Sequence, residues 1–136
     1  MSLPTSGGEA GTTVTGPEGG ELLASISRRI VQLLARRAGK GPTKCKTHWA
    51  GPDILVVVLG GGYTEAEHTL FERGRADDVR AYRSAILEAL REDMTAEVEE
   101  LTGRSVVAFM STSNQDPDLL VEIFVLASQG DGASVT

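Results

Sequence analysis

Cysteine occurs once, histidine twice, and aromatic residues make up only 4% of the chain. A single thiol, Cys45, excludes an intrachain disulfide framework and suits a reducing compartment. So few soft ligands leave no zinc site, because Cys45 and His48 stand three apart and residues three apart on a strand point to opposite faces. The same geometry defeats a cysteine–histidine nucleophile. Long apolar runs are missing too. The longest, Ile54 to Leu59, is far below the ~20 residues of a membrane-spanning helix, so membrane insertion is not expected. The first twenty residues contain no apolar core of a secretory signal. Basic residues are a minority, 13 against 19 acidic ones, and the net charge is −6. A chain of that sign has no general affinity for phosphate backbones, and no nucleic-acid partner is expected.

Neither the P-loop pattern nor the dinucleotide-binding glycine fingerprint occurs, and no cofactor is implied. No nucleophile, base and orienting group can be assembled from the motifs, which argues against an enzyme. Glu88, Glu92, Asp93, Glu97, Glu99 and Glu100 fall outside an apolar helical stripe and are interleaved with Arg83 and Arg91. That is the pattern of a solvated helix face.

What the chain does have is 40% hydrophobic residues, enough for one compact, aliphatic core. It also has an internal echo. Gly51-Pro52-Asp53 leads into Ile54 to Leu59, and Asp116-Pro117-Asp118 leads into Leu119 to Leu126, each a turn feeding an apolar strand. Upstream of each lies a helical pattern ending at glycine (Gly39, Gly103), then a basic residue (Lys40, Arg104), then a first strand. The chain therefore reads as one unit built twice.

Residues 1–19 are rich in glycine, threonine, serine and proline and are expected to be a disordered arm. Leu22, Leu23, Ile26, Ile30, Leu33 and Leu34 recur at helical spacing from Glu21, with Gly39 as the stop. Thr43 to Trp49 alternates, with Lys44, Lys46 and His48 on one side and Thr43, Cys45, Thr47 and Trp49 on the other. Trp49 is expected to pack under the first helix. Ile54 to Leu59 is apolar on both faces and should lie inside the sheet. Thr64-Glu65-Ala66-Glu67 is a capping box opening a helix to about Glu72. Val79, Tyr82, Ile86, Leu90, Met94, Val98 and Leu101 mark one face of a single long helix closed by Gly103. Residues 128–136 are glycine, aspartate and serine rich and are expected to be a disordered tail. The fold class that follows is α+β: a two-layer sandwich made of a duplicated α-β-β unit, with a four-stranded antiparallel sheet and helices on one face. If the units face each other across a dyad, the strand order is 1-2-4-3.

Two surfaces are candidates for function. The glycine turn Gly60-Gly61-Gly62, ahead of the helix capped by Thr64 and near Lys40 and Lys44, offers flexible backbone and a helix N-terminus to a nucleotide or other anion. A tight turn needing positive φ explains the glycines equally well. Lys44, Lys46 and His48 form a basic strand face that can contact an acidic partner, or simply guard an edge strand. The apolar second face of Ile54 to Leu59 calls for cover, and a homodimer would supply it.

Gly39-Lys40-Gly41-Pro42-Thr43-Lys44, Thr64 to Glu67, Glu100 to Ser111, and Asp116-Pro117-Asp118 leading to Phe124-Val125-Leu126 together resemble the MpsC-like family. That family is named for a sodium-translocating, membrane-potential-generating system, and the likeness covers residues 20–127. The resemblance implies a small soluble bacterial accessory protein, cytoplasmic and in some organisms peripheral to a membrane complex tied to cation transport and inorganic carbon supply. It carries over no catalytic residues.

Overall fold

The computed structural model describes residues 16–129. The N-terminal arm up to residue 15 and the tail from residue 130 lie outside the described residues. Helix α1 runs Gly16–Ala38 and buries Ile26, Ile30, Leu33 and Leu34. It begins at Gly16, ahead of the expected Glu21, because proline is tolerated in a first turn, where its missing amide has no intrahelical acceptor. Gly39 ends it at φ 92°, a conformation glycine adopts at little cost.

Strands β1 (Lys44–Trp49) and β2 (Ile54–Gly60) form the first hairpin, and β3 (Val106–Asn114) and β4 (Leu119–Leu126) the second. Between them lie helices α2 (Glu65–Glu72), α3 (Ala76–Ala89) and α4 (Arg91–Thr102). The four strands make one antiparallel sheet in the order β1-β2-β4-β3. The most apolar strands thus occupy the centre, as expected for segments greasy on both faces.

The register sorts side chains into two layers. Toward the helices, Thr47, Val57, Glu122 and Ser111 form one row across the sheet, flanked by the row Trp49, Leu55, Phe124 and Phe109. Leu55, Val57, Leu59, Phe124 and Leu126 pack with Ile26 and Ile30 of α1 and Met94 and Val98 of α4 in a single core. Phe109 and Phe124 stack with centroids 4.6 Å apart. Trp49 is partly buried against this core, with the Arg104 guanidinium 5.9 Å from its ring centroid. Toward the other side no element of the described residues covers the sheet, and alternate residues of β2 and β4 stay half-exposed.

One expectation is corrected. The stripe Val79 to Leu101 lies on two helices, with Leu90 between them at φ −97° and ψ 5°. Leu90 is buried, and the hydrogen bonds Leu90 N to Ile86 O and Met94 N to Leu90 O, both 2.9 Å, carry the chain through the bend. Neither glycine nor proline marks the site, so periodicity runs through it unchanged. The bend leaves α3 over the end of the sheet near the glycine turn and α4 beside α1, where Arg29 pairs with Glu97 and Glu100.

The two hairpins end alike. Leu126 N donates to Asp53 O (2.8 Å) and Gly61 N donates to Asp118 O (3.4 Å), so each matched aspartate backbone caps the central strand of the other hairpin. Helices α2 and α3 have no counterpart ahead of β1, and the likeness of the halves is limited to helix, hairpin and turn.

Candidate functional site

A small cleft of about 70 Å³ opens where α1, α3 and the glycine turn meet. Its floor is apolar, with Leu34, Leu59, Ile86 and Leu120, and its mouth carries Lys40, Gly61, Gly62, Thr64, Glu67 and Arg83. The turn thus brings four of the expected anion-site residues together: Lys40, Gly61, Gly62 and Thr64. Gly60 is the buried end of β2. Lys44 pairs with it across the hairpin and projects on the opposite face of the sheet, away from the cleft.

The polar groups at the mouth are already engaged with one another. The Thr64 amide donates to Glu67 Oε1 (2.8 Å) and the Glu67 amide donates to Thr64 Oγ1 (3.1 Å), completing the capping box. The Gly61 amide is taken by Asp118 O, and the Lys40 ammonium donates to Tyr63 O at 3.1 Å. Arg83 sits over the Tyr63 ring, 3.8 Å from its centroid, and holds Glu67 Oε2 at 3.1 Å and Asp118 Oδ1 at 3.4 Å. Two cations face two carboxylates here, so the cleft has no surplus of positive charge to offer an anion. Gly61 and Gly62 have φ of 78° and 102°, and a Cβ on Gly61 would come 2.2 Å from Thr43 Oγ1. The turn requires glycine for its own geometry.

The second surface is the open face of the sheet. Lys46 stands opposite Val58, and Val58 opposite Val121; His48 stands opposite Val56, Val56 opposite Ile123, and Ile123 opposite Met110. Lys44, Lys46 and His48 are exposed along β1, and the strip beside them is aliphatic across β2 and β4, with Met110 of β3 at its far side. Met110 and Leu119 are among the large exposed apolar residues of the described chain. This face unites all three residues expected to contact a partner. Cys45 lies on the other side, half-buried, and burial pushes its thiol upward in pKa.

Three features escaped the sequence reading. Glu122 is fully buried on the helix side of β4, and neither carboxylate oxygen has a hydrogen-bond partner among the described residues. Burial alone pushes its pKa up to about 8. Alternation was the signal, since Glu122 shares the phase of Leu120 and Phe124. Arg104 clasps the far end of the sheet, donating to Pro52 O (2.8 Å) and Ala127 O (2.8 Å) and pairing with Asp53. Arg83 ties α3 to the glycine turn and to β4, a convergence that sequence spacing does not display. The acidic residues of α4 are largely structural: besides the pairs with Arg29, Glu99 Oε2 accepts from Val106 N at 2.8 Å.

The fold and its surfaces define a small two-layer α+β protein whose helices roof one side of its sheet, the other side carrying no element of the described residues. Among the described residues, no helix is long and apolar enough to cross a membrane. The chain belongs to the MpsC family, described as the Na+-translocating membrane potential-generating system (MpsC), whose family model matches residues 18–128. No curated protein and no solved structure matches it.

Proposed function

We propose that this chain is a non-catalytic accessory protein of a membrane cation-translocating system, visiting the complex from the aqueous side and docking through the open face of its sheet. The observation that carries the reading is the uncovered aliphatic strip on β2 and β4 beside Lys44, Lys46 and His48. An apolar face of this extent costs free energy in water and is the kind of surface that partner binding covers. Family membership supplies the membrane context. The cleft supports a structural role, because its charged groups satisfy each other and none stands ready as nucleophile or base. A homodimer, the other cover that the two-sided strands suggest, would compete with the partner for the same face.

Affinity capture from the native host, with and without solubilised membranes, tests the reading. The expected result is an integral membrane protein enriched only in the membrane-containing arm. Its absence, or a measured turnover abolished by one substitution in this chain, overturns it.

A further inference from the structure

We propose that the open face receives an acidic amphipathic segment of a different protein, its apolar side on β2 and β4 and its carboxylates against Lys44, Lys46 and His48. This rests on the accessory reading and specifies its partner.

Charge is the first argument. The chain carries −6 overall, yet among the described residues the open face displays three basic side chains and no acidic one. Carboxylates gather instead on the helices and turns. A second copy stacked on this face brings the same two lysine ammonium groups and no counter-charge, so copies meet either like charges or the neutral strand β3. An acidic segment meets complementary charge along the whole of β1. Guarding of an edge strand accounts for the lysines of β1. It leaves unexplained the bare aliphatic residues Val56, Val58, Val121 and Ile123, which lie on the central strands.

Size is the second. Four strands about 4.8 Å apart, of six to nine residues at about 3.3 Å each, give a face of about 480 Å². That is little more than half of the ~800 Å² each partner gives to a standard interface between globular proteins. A single amphipathic helix, ~10 Å across, fits the strip between the lysines and Met110.

Composition argues against a lipid surface. The open face bears no aromatic residue, since Trp49, Phe109 and Phe124 all lie in the rows facing the helices. Interfacial membrane binding draws on tryptophan and tyrosine at the headgroup level, and this face carries neither. Flat rows of β-branched residues fit a complementary protein face.

The probe is a synthetic leucine–glutamate amphipathic helix, with a leucine–lysine counterpart, titrated into the full chain carrying 13C-labelled methyl groups. Methyl signals of Val58, Val121, Ile123 and Met110 are expected to move, and those of Leu55 and Val57 to stay. The lysine peptide is expected to bind at least tenfold more weakly, and K44E/K46E to weaken the glutamate peptide at least tenfold. Both substituted positions are exposed, so the fold is not at stake. Equal affinity for the two peptides, or no shift at millimolar peptide, overturns the proposal. So does a dimer in sedimentation that Met110→Glu dissociates, or flotation with phosphatidylglycerol vesicles that K44E/K46E abolishes. Membrane capture unaffected by K44E/K46E sinks this docking face while leaving the accessory role intact. Peptide binding without any membrane capture does the reverse.

Discussion

Glu122 is a carboxylic acid placed where an aliphatic side chain would cost nothing. The unfolded chain releases this proton near 4.5, whereas the folded protein holds it to about pH 8. Between those values the native state binds one proton more than the unfolded state, so stability falls as pH rises and levels off above pH 8. The loss amounts to about 3 kcal/mol at neutral pH and about 5 kcal/mol above pH 8. Urea unfolding at pH 5, 7 and 9 is expected to show this decline, and Glu122→Leu to abolish it and raise stability at pH 9. No charged group enters this balance, because burial is the sole cause of the shift, and Cys45 is the titratable neighbour that senses Glu122. Arg83 is the opposite case, a cation in demand from three sides. Arg83→Ala strands the buried Glu67 and the partly buried Asp118 carboxylates and is expected to lower stability by about 3 kcal/mol, read as a lower urea midpoint at unchanged slope.

Among the elements, boundaries that rest on local chemistry were the readable ones. The capping box at Thr64 and Glu67, the glycines at 39 and 103 and the alternation of β1 each depend on contacts within a few residues, and each stands where the pattern puts it. Thr64→Ala removes one side of the box and is expected to cost about 1 kcal/mol in thermal unfolding. The bend at Leu90 was not readable. It exists because α3 must cover the glycine turn while α4 lies beside α1, and that demand comes from tertiary packing. The same distinction applies to the two surfaces. Strand phase alone put Lys44, Lys46 and His48 on one face. The self-satisfied cleft depends on Arg83 meeting Glu67 and Asp118 across the fold, which no spacing along the chain reveals.

For the molecule as a whole, the strand order explains where strength and weakness lie. β2 and β4 each pair on both sides, whereas β1 and β3 have one neighbour. Native-state hydrogen exchange is expected to protect amides of Val57 and Phe124 most strongly, with β1 opening first. Arg104 closes the far end by joining the first turn to the exit of β4, and Arg104→Ala is expected to speed exchange at Leu126 and Ala127 with little effect at Val57. Strand order was readable because two segments apolar on both faces have to be neighbours in the middle of a sheet. What the bare face binds was not, since recognition depends on a second molecule.

The pairing of Gly60 with Leu119 and Ile54 with Val125 has a consequence for biosynthesis. The run Ile54 to Leu59 leaves the ribosome long before its central partner is made. In that interval it is an aliphatic, uncharged segment with a free edge, the sequence type that self-associates into cross-β aggregates. Helix α1 and the lysine-bearing strand, both made earlier, are at hand to cover one face and one edge, and the other edge stays open until the second hairpin emerges.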